Sequence, residues 1–364
     1  MGLSRSSGAA PFTLSVLSAG GTGVGMSATE GLESTITLAR TADERGFHRF
    51  WMSEHHGMGA TSVSSPPLMI ARLIAETIRI RLGAGGVMLP NHSPLLVAEQ
   101  FGMLEALAPG RIDLGLGRAP GTDGSTAAAL RRGANANEAF PQQVLELLGF
   151  LKDDFPPGHP YQQVHAVPGP WQAAENRVSA PPSTPQTWVL GSSPYSARLA
   201  GQLGRPYAFA LQFGDANVDT AMRLYRESFQ PSEVLAKPYS LVSVSVAISD
   251  DPVEARRQAS TSAMAMLRMF KGEGYLLLPP DEVAAYYPTV QERHILDAYT
   301  DRSFHGAPAS VAGRLEALQE RTGVNEVMLV VGGHSTRLDH EGLHLIADHY
   351  GIPRLETSLA ATTP

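Results

Sequence analysis

Cysteine is absent from the 364-residue sequence, which excludes disulfide bonds, thiolate metal ligands and a cysteine nucleophile. No apolar run approaches the roughly 20 residues that a membrane-spanning helix needs. No basic stretch stands out, and the formal net charge is -7, which argues against a nucleic-acid partner. Residues 1–10 are small and polar without an apolar core, so they predict a flexible tail and not a secretory signal. A cytoplasmic location is the default expectation.

Short apolar runs typical of β-strands alternate with longer helical patterns along the chain. These runs predict eight strands: Phe12–Leu17, Arg49–Met52, Ile80–Ala84, Arg111–Gly115, Thr187–Leu190, Tyr207–Leu211, Tyr239–Ile248 and Glu326–Val331. Helical patterns are clear over Thr29–Arg45, Ser93–Ala108 and Ala309–Arg321. This alternation predicts an α/β fold of the (β/α)8 TIM-barrel type. A doubly wound sheet is the alternative, but no G-x-G-x-x-G sequence opens a first helix.

Two segments, Ala119–Gly149 and Ser260–His305, exceed what a minimal barrel needs. Both follow predicted strands, so we expect them as insertions at the C-terminal face, where the active sites of barrels lie. They are therefore interpreted as lids over a substrate pocket. No internal repeat or linker divides the sequence. We expect one domain over residues 11–355, with flexible tails at 1–10 and 356–364.

The junction after the fifth predicted strand reads Gly191-Ser192-Ser193-Pro194. Serine suits the N-cap of a helix, and proline suits the first helical position, where no amide hydrogen is needed. The helix N-terminus would then direct amide hydrogens and hydroxyls at one point, which is an anion site with phosphate as its usual occupant. An ordinary capped helix with nothing bound is the alternative.

Glycine clusters mark the ends of two predicted strands, at Gly83–Gly86 and Gly115–Gly117. Repeated glycine in a strand usually means that something approaches the backbone closely. A flat ring lying across these ends would explain both clusters. Arg118 follows with a fixed positive charge that could pair with a phosphate or stabilise an anionic ring. Alternatively, the glycines relieve crowding inside the barrel and Arg118 forms a structural ion pair.

Glu54, His55 and His56 directly follow the second predicted strand. A zinc site is one interpretation. Adjacent residues at a strand end point to opposite sides and rarely share one ion, so we predict no metal. A general base or substrate-orienting donor is the second interpretation for His55, because histidine alone titrates unaided near neutrality. A packed histidine bonded to a loop carbonyl is the third, and it is preferred for His56.

Taken together, four strings carry a resemblance to a known family. They are Arg49–His56, Gly83–Pro94, Val97–Phe101 and Pro109–Asp123, the last of which contains Leu-Gly-Arg-Ala-Pro-Gly. The sequence resembles the bacterial luciferase-like monooxygenases, and more narrowly their non-bioluminescent, FMN-dependent branch. The resemblance covers nearly the whole chain.

The resemblance implies a TIM barrel that binds reduced FMN, usually supplied by a separate flavin reductase, and uses O2 to oxidise a small organic substrate through a peroxyflavin. It implies that His55 acts as a base beside the flavin and that Arg118, a catalytic and cofactor-binding residue, contacts the phosphate side. The other implied cofactor-binding residues belong to the serine-rich junction or to a non-proline cis peptide against the ring: Ser192, Ser193, Tyr195, Ser196, Ala84, Gly85 and Gly86. A homodimer formed through helices near Leu68–Glu76 and Pro94–Ala108 is also implied.

The sequence departs from luciferase at two positions. Gly117 replaces a reactive cysteine, and Ser192 replaces a glutamate, which should favour phosphate binding. Three alternatives remain open at this stage. They are hydride transfer with the deazaflavin F420 on the same fold, a flavin-binding protein without turnover, and a metal-dependent barrel hydrolase.

Overall fold

The protein is described by a computed structural model that covers residues 10–179, 183–214 and 216–355. The predicted tails at 1–10 and 356–364, apart from Ala10, lie outside the described residues. None of the helices in these ranges is both long and apolar enough to cross a membrane.

Within these described ranges, nine strands form one parallel sheet that closes on itself. They are β1 (Thr13–Ser18), β2 (Arg49–Met52), β3 (Arg81–Met88), β4 (Ile112–Gly117), β5 (Gln186–Gly191), β6 (Tyr207–Ala210), β7 (Ser240–Ile248), β8 (Phe304–Gly306) and β9 (Glu326–Val331). Eight of them pair in the order β1 to β7 and then β9, which returns to β1, while β8 pairs only with the end of β7. The closed eight-stranded parallel barrel confirms the predicted fold class.

Helices surround the barrel and cover its mouth. They are α1 (Ala28–Glu44), α2 (Pro66–Ile74), α3 (Pro94–Leu107), α4 (Gly124–Ala129), α5 (Ala136–Lys152), α6 (Pro170–Glu175), α7 (Pro194–Gln202), α8 (Val218–Ser228), α9 (Pro252–Phe270), α10 (Pro280–Ala284), α11 (Val290–Arg302), α12 (Pro308–Thr322) and α13 (Thr336–His349). Local sequence sets several starts: Ser27 and Glu30 form a capping box on α1, and proline opens α3, α7 and α12.

Most predicted strand and helix bounds lie within two residues of the observed ones, and three differences are larger. β3 continues to Met88, through the glycines expected to end it. The second predicted lid begins inside a helix, because α9 runs unbroken from Pro252. The short strand β8 was not predicted, since a three-residue run of Phe304, His305 and Gly306 has no detectable period.

A buried ion network fills the N-terminal end of the barrel. Arg49 Nη1 lies 2.7 Å from Asp113 Oδ2, and Arg49 Nε lies 2.7 Å from Glu326 Oε1. Above it, Trp51 and Trp188 pack edge to face, with ring centroids 5.2 Å apart. Because this end is filled, the open space inside the barrel lies at the C-terminal ends of the strands.

Candidate active site

A cavity of about 570 Å³ opens at the C-terminal end of the barrel. Its floor includes Leu17, Trp51, Leu241 and Met328, so the base of the cavity is apolar. Both predicted lids contribute to its walls, through α5 on one side and through α9 and α11 on the other. The size is that of a ligand site in an ordinary enzyme.

Bare main chain forms one wall of the cavity at Gly85 and Gly86, which we call the glycine ledge. The peptide bond between the two residues is cis, as the family resemblance implies. A Cβ atom on Gly85 would lie 2.7 Å from the Trp51 ring, and one on Gly86 would lie 2.7 Å from the Gly115 carbonyl oxygen. Ala84 does not line the cavity, because its side chain is buried in the core between barrel and helices.

The junction of β5 and α7, residues 191–196, forms a second wall, which we call the serine turn. Ser193 is the N-cap of α7, yet its hydroxyl makes no capping hydrogen bond to the helix. Ser196 donates to the Ser193 carbonyl oxygen over 2.9 Å and lies 3.2 Å from the Tyr207 hydroxyl. Ser192, Ser193 and Ser196 all line the cavity, and the helix N-terminus adds its own positive end.

Arg118 lies beside the serine turn. Its guanidinium stacks over the ring of Tyr195, 4.6 Å from the ring centroid, and both residues line the cavity. Within the described residues no carboxylate forms an ion pair with Arg118, so the structural ion pair considered from the sequence is not present there. The positive charge is therefore free to act on a ligand next to the serine hydroxyls.

His55 also reaches the cavity, from the segment after β2. Its Nδ1 lies 3.2 Å from the carbonyl oxygen of Gly121, so Nδ1 carries the proton and donates it. Burial lowers the pKa of His55 below its ordinary value, although the Gly121 carbonyl and the Glu54 carboxylate act in the opposite direction. The imidazole is thus neutral at neutral pH, with Nε2 as a proton acceptor.

Glu54 and His56 point away from His55 into a hydrogen-bond network. The Nε2 atoms of His56 and His92 lie 2.9 and 2.8 Å from Glu54 Oε1. The Met88 amide donates to Glu54 Oε2 over 3.1 Å. His56 is therefore packed as predicted, but its partner is a carboxylate and not a loop carbonyl. Through Glu54, the network links the segment that contains His55 to the end of β3.

Metal-ligand atoms come together at one place in the described residues, in this same group of Glu54, His56 and His92, all within 4.8 Å of one another. Both carboxylate oxygens already accept hydrogen bonds there. An H-E-x-x-H string that was not predicted as a metal site runs from His340 to His344 on α13. It lies outside the barrel, where His340 contacts Thr41 of α1 over 3.3 Å, and no third ligand joins it within the described ranges.

Several cavity residues were not predicted from the sequence. Arg302 and Tyr299 enter from α11, Gln258 from α9, and Phe140 from α5. Except for Gln258, which precedes the second predicted lid, these residues belong to segments that were recognised only as lids. The sequence gives no signal for which side of an added helix faces inward.

Comparison with known proteins identifies the family. Residues 12–336 match the family model of the luciferase-like monooxygenases. The protein YvbT of Bacillus subtilis is 41% identical over 316 residues, covering 87% of this chain and 90% of its own. The N-acetyl-S-alkylcysteine monooxygenase of the same species is 40% identical over 198 residues, 54% of this chain and 56% of its own. The crystal structure of apo-MsnO8 superposes with a TM-score of 0.82 at 32% identity, covering 94% of this chain and 98% of that one. The chain therefore belongs to the luciferase-like monooxygenase family.

Proposed function

We propose that the protein is a monooxygenase that uses reduced FMN and O2 to oxidise a small organic substrate, with the reduced flavin supplied by a separate reductase. The observation that carries this proposal is the presence in one cavity of the glycine ledge, the serine turn, Arg118 and a neutral His55. The family match and the monooxygenase among the relatives support the reaction class. The cytoplasmic location stays a prediction.

The residues present fit FMN in two respects. The glycine ledge offers main chain without side chains in the cavity wall, which suits an aromatic ring system, although packing against Trp51 and the Gly115 carbonyl also requires glycine there. The serine turn offers three hydroxyls that line the cavity, a helix N-terminus and the charge of Arg118, which suit a phosphate dianion. F420-dependent turnover would need the same ring site, so the cofactor is a question for direct measurement.

Each group has a distinct task in the proposed reaction. Reduced FMN, when bound, supplies the electrons that activate O2. Ser193 and Arg118 hold its phosphate, and the glycine ledge supports its ring. His55 accepts or relays a proton at Nε2, because Nδ1 is fixed by Gly121. The lid helices α5 and α9 exclude water, which protects a reactive centre from hydrolysis.

The test is a comparison of ligands that differ only in the phosphate. We expect reduced FMN to bind more tightly than reduced riboflavin, measured by anaerobic fluorescence titration. Arg118→Gln and Ser193→Ala should each reduce that preference about ten-fold, as loss of a charge-assisted hydrogen bond does. Ser125→Ala, an exposed serine on α4, serves as the matched control. Equal binding of FMN and riboflavin, or preference for F420, contradicts the proposal.

The proposed homodimer rests on the outer faces of α2 and α3. Val97 and Phe101 of α3 are buried inward, yet Met103 and Leu107 on the same helix are 56% and 62% exposed, and Leu68 of α2 is 75% exposed. A helix that is apolar on both sides is suited to a second interface. Sedimentation of wild type and Leu107→Glu tests it: we expect a dimer that the variant weakens.

A further inference from the structure

Arg302, the last residue of α11, has an unused guanidinium in the cavity wall. Its Nη1 atom is buried and has no hydrogen-bond partner among the described residues. The acidic residues on the same helix do not reach it, because Asp301 and Asp297 pair with Arg256 of α9, at 2.8 and 3.6 Å. The Arg302 side chain is half-buried and no hydrogen bond from it to a described residue is formed, so a ligand is expected to supply the missing acceptor.

The position of Arg302 separates it from the proposed phosphate site. Arg118 follows β4, whereas α11 leads into β8, which pairs with the end of β7, three strands further around the barrel. The Arg302 guanidinium lies over the ring of Tyr299, 4.5 Å from its centroid, and Tyr299 is itself a cavity residue. The stacking restricts where the guanidinium can lie, as a binding group requires.

The rest of the cavity carries no negative charge to satisfy Arg302. None of the described residues that line it is an aspartate or a glutamate, and its basic side chains are Arg118, Arg302 and His55. One arginine is accounted for by the flavin phosphate under the proposed function. The second leaves a fixed positive charge in a cavity that apolar residues such as Ala263 and Met266 also line.

We propose that Arg302 binds the carboxylate of the substrate, so that the substrate class is an apolar organic acid. The inference rests on the proposed function, since it assigns the phosphate to Arg118. A planar guanidinium can donate two parallel hydrogen bonds to a carboxylate, which fixes orientation as well as affinity. The apolar body of the acid then lies toward the floor, and the oxidisable atom lies on the side of the glycine ledge.

The experiment uses octanoate and octanamide as probes of equal length that differ in charge. Binding to the full chain, with and without FMN, is measured by isothermal titration calorimetry. We expect octanoate to bind about ten-fold more tightly than octanamide in the wild type. Arg302→Gln should remove the preference, and Arg302→Lys should retain part of it. Arg223→Gln, which removes an exposed arginine of α8 that pairs with Glu227 away from the cavity, should leave it unchanged.

The outcomes separate this inference from the proposed function. A charge preference that survives in Arg302→Gln, or is missing from the wild type, overturns the assignment of Arg302. If Arg302 only stabilises the C-terminus of α11, the variant lowers the melting temperature and leaves the probe preference intact. If octanoate binding depends on Arg302 but FMN does not bind, the anion site stands and the flavin proposal fails. If FMN binds more tightly than riboflavin but octanoate binds equally well to the wild type and to Arg302→Gln, only the proposed substrate class is wrong.

Discussion

At the scale of single residues, the hydrogen bond from His55 to Gly121 determines which ring nitrogen can accept a proton. Nδ1 donates to the carbonyl, which leaves Nε2 as the proton acceptor of a ring that lines the cavity. The pKa of His55 lies below its ordinary value because burial disfavours the imidazolium. The base form therefore persists into mildly acidic solution.

This protonation predicts a pH dependence. Because the pKa is lowered from 6.5, the acid limb of the kcat/KM profile should lie below pH 6.5. His55→Gln should bind FMN normally, lower product formation about 100-fold and lose that limb. His349→Gln, an exposed histidine at the end of α13, is the control and should behave as wild type. Identical profiles for wild type and His55→Gln would remove His55 from the mechanism.

Some site residues were accessible to sequence reasoning and others were not. Gly85, Gly86 and Ser193 follow strands, and the ends of parallel strands meet at one face, so their meeting in a cavity could be foreseen. Arg302 could not be found in this way. Its contribution depends on how α11 rotates against α9, which is set by packing and not by a local pattern.

At the scale of secondary-structure elements, α13 carries a partly buried carboxyl group, that of Asp339, in its first turn. Burial raises the pKa of Asp339 to about 7, although hydrogen bonds from Gln258 and from the amides of Gly333 and Gly332 oppose the rise. Between the ordinary pKa of an aspartate and pH 7, the Asp339 carboxyl therefore keeps its proton in the folded chain and loses it in the unfolded chain. Stability contributed by this group therefore falls as the pH rises toward 7.

Replacement of Asp339 should reverse that loss. As the pH is raised from 5 to 8, the free energy of unfolding of Asp339→Asn should rise by roughly 1–3 kcal/mol relative to that of the wild type. The reason is that the neutral amide has no proton to release. Urea unfolding at the two pH values measures the difference. Asp250→Asn, at an exposed position, should show no such trend. If the free energies of unfolding of the variant and the wild type differed by the same amount at both pH values, the raised pKa of Asp339 would be contradicted.

The elements themselves were largely predictable. All eight barrel strands have apolar runs that the sequence displays, and β2 and β9 agree with their predicted bounds residue for residue. These runs are apolar at successive positions because both faces of a parallel strand are buried in a barrel. β8 and the small helix α10 were not predicted, since neither is long enough for a hydrophobic period to be detected in the sequence.

At the scale of the whole molecule, Arg49 holds distant parts of the barrel together. It bridges Asp113 of β4 and Glu326 of β9, and all three side chains are buried. Arg49→Met would leave Glu326 without a cation and Asp113 with Arg81 alone, so we expect a loss of about 3–5 kcal/mol in free energy of unfolding, measured by urea denaturation.

A matched surface variant separates burial from charge. Arg223 forms an exposed pair with Glu227 on α8, and Arg223→Met should cost less than about 1 kcal/mol. If both methionine variants lost the same stability, the buried network would have no special part in holding the barrel.

Closure of the sheet also governs how the protein can aggregate. Each barrel strand has neighbours on both sides. Within the described ranges, the unpaired edge of the sheet is confined to the three-residue strand β8. A partly exposed edge of that length offers a poor template for recruiting a foreign strand or seeding a fibril. Copies of the folded chain must therefore meet through helical surfaces, and amyloid-like growth would first require the barrel to open.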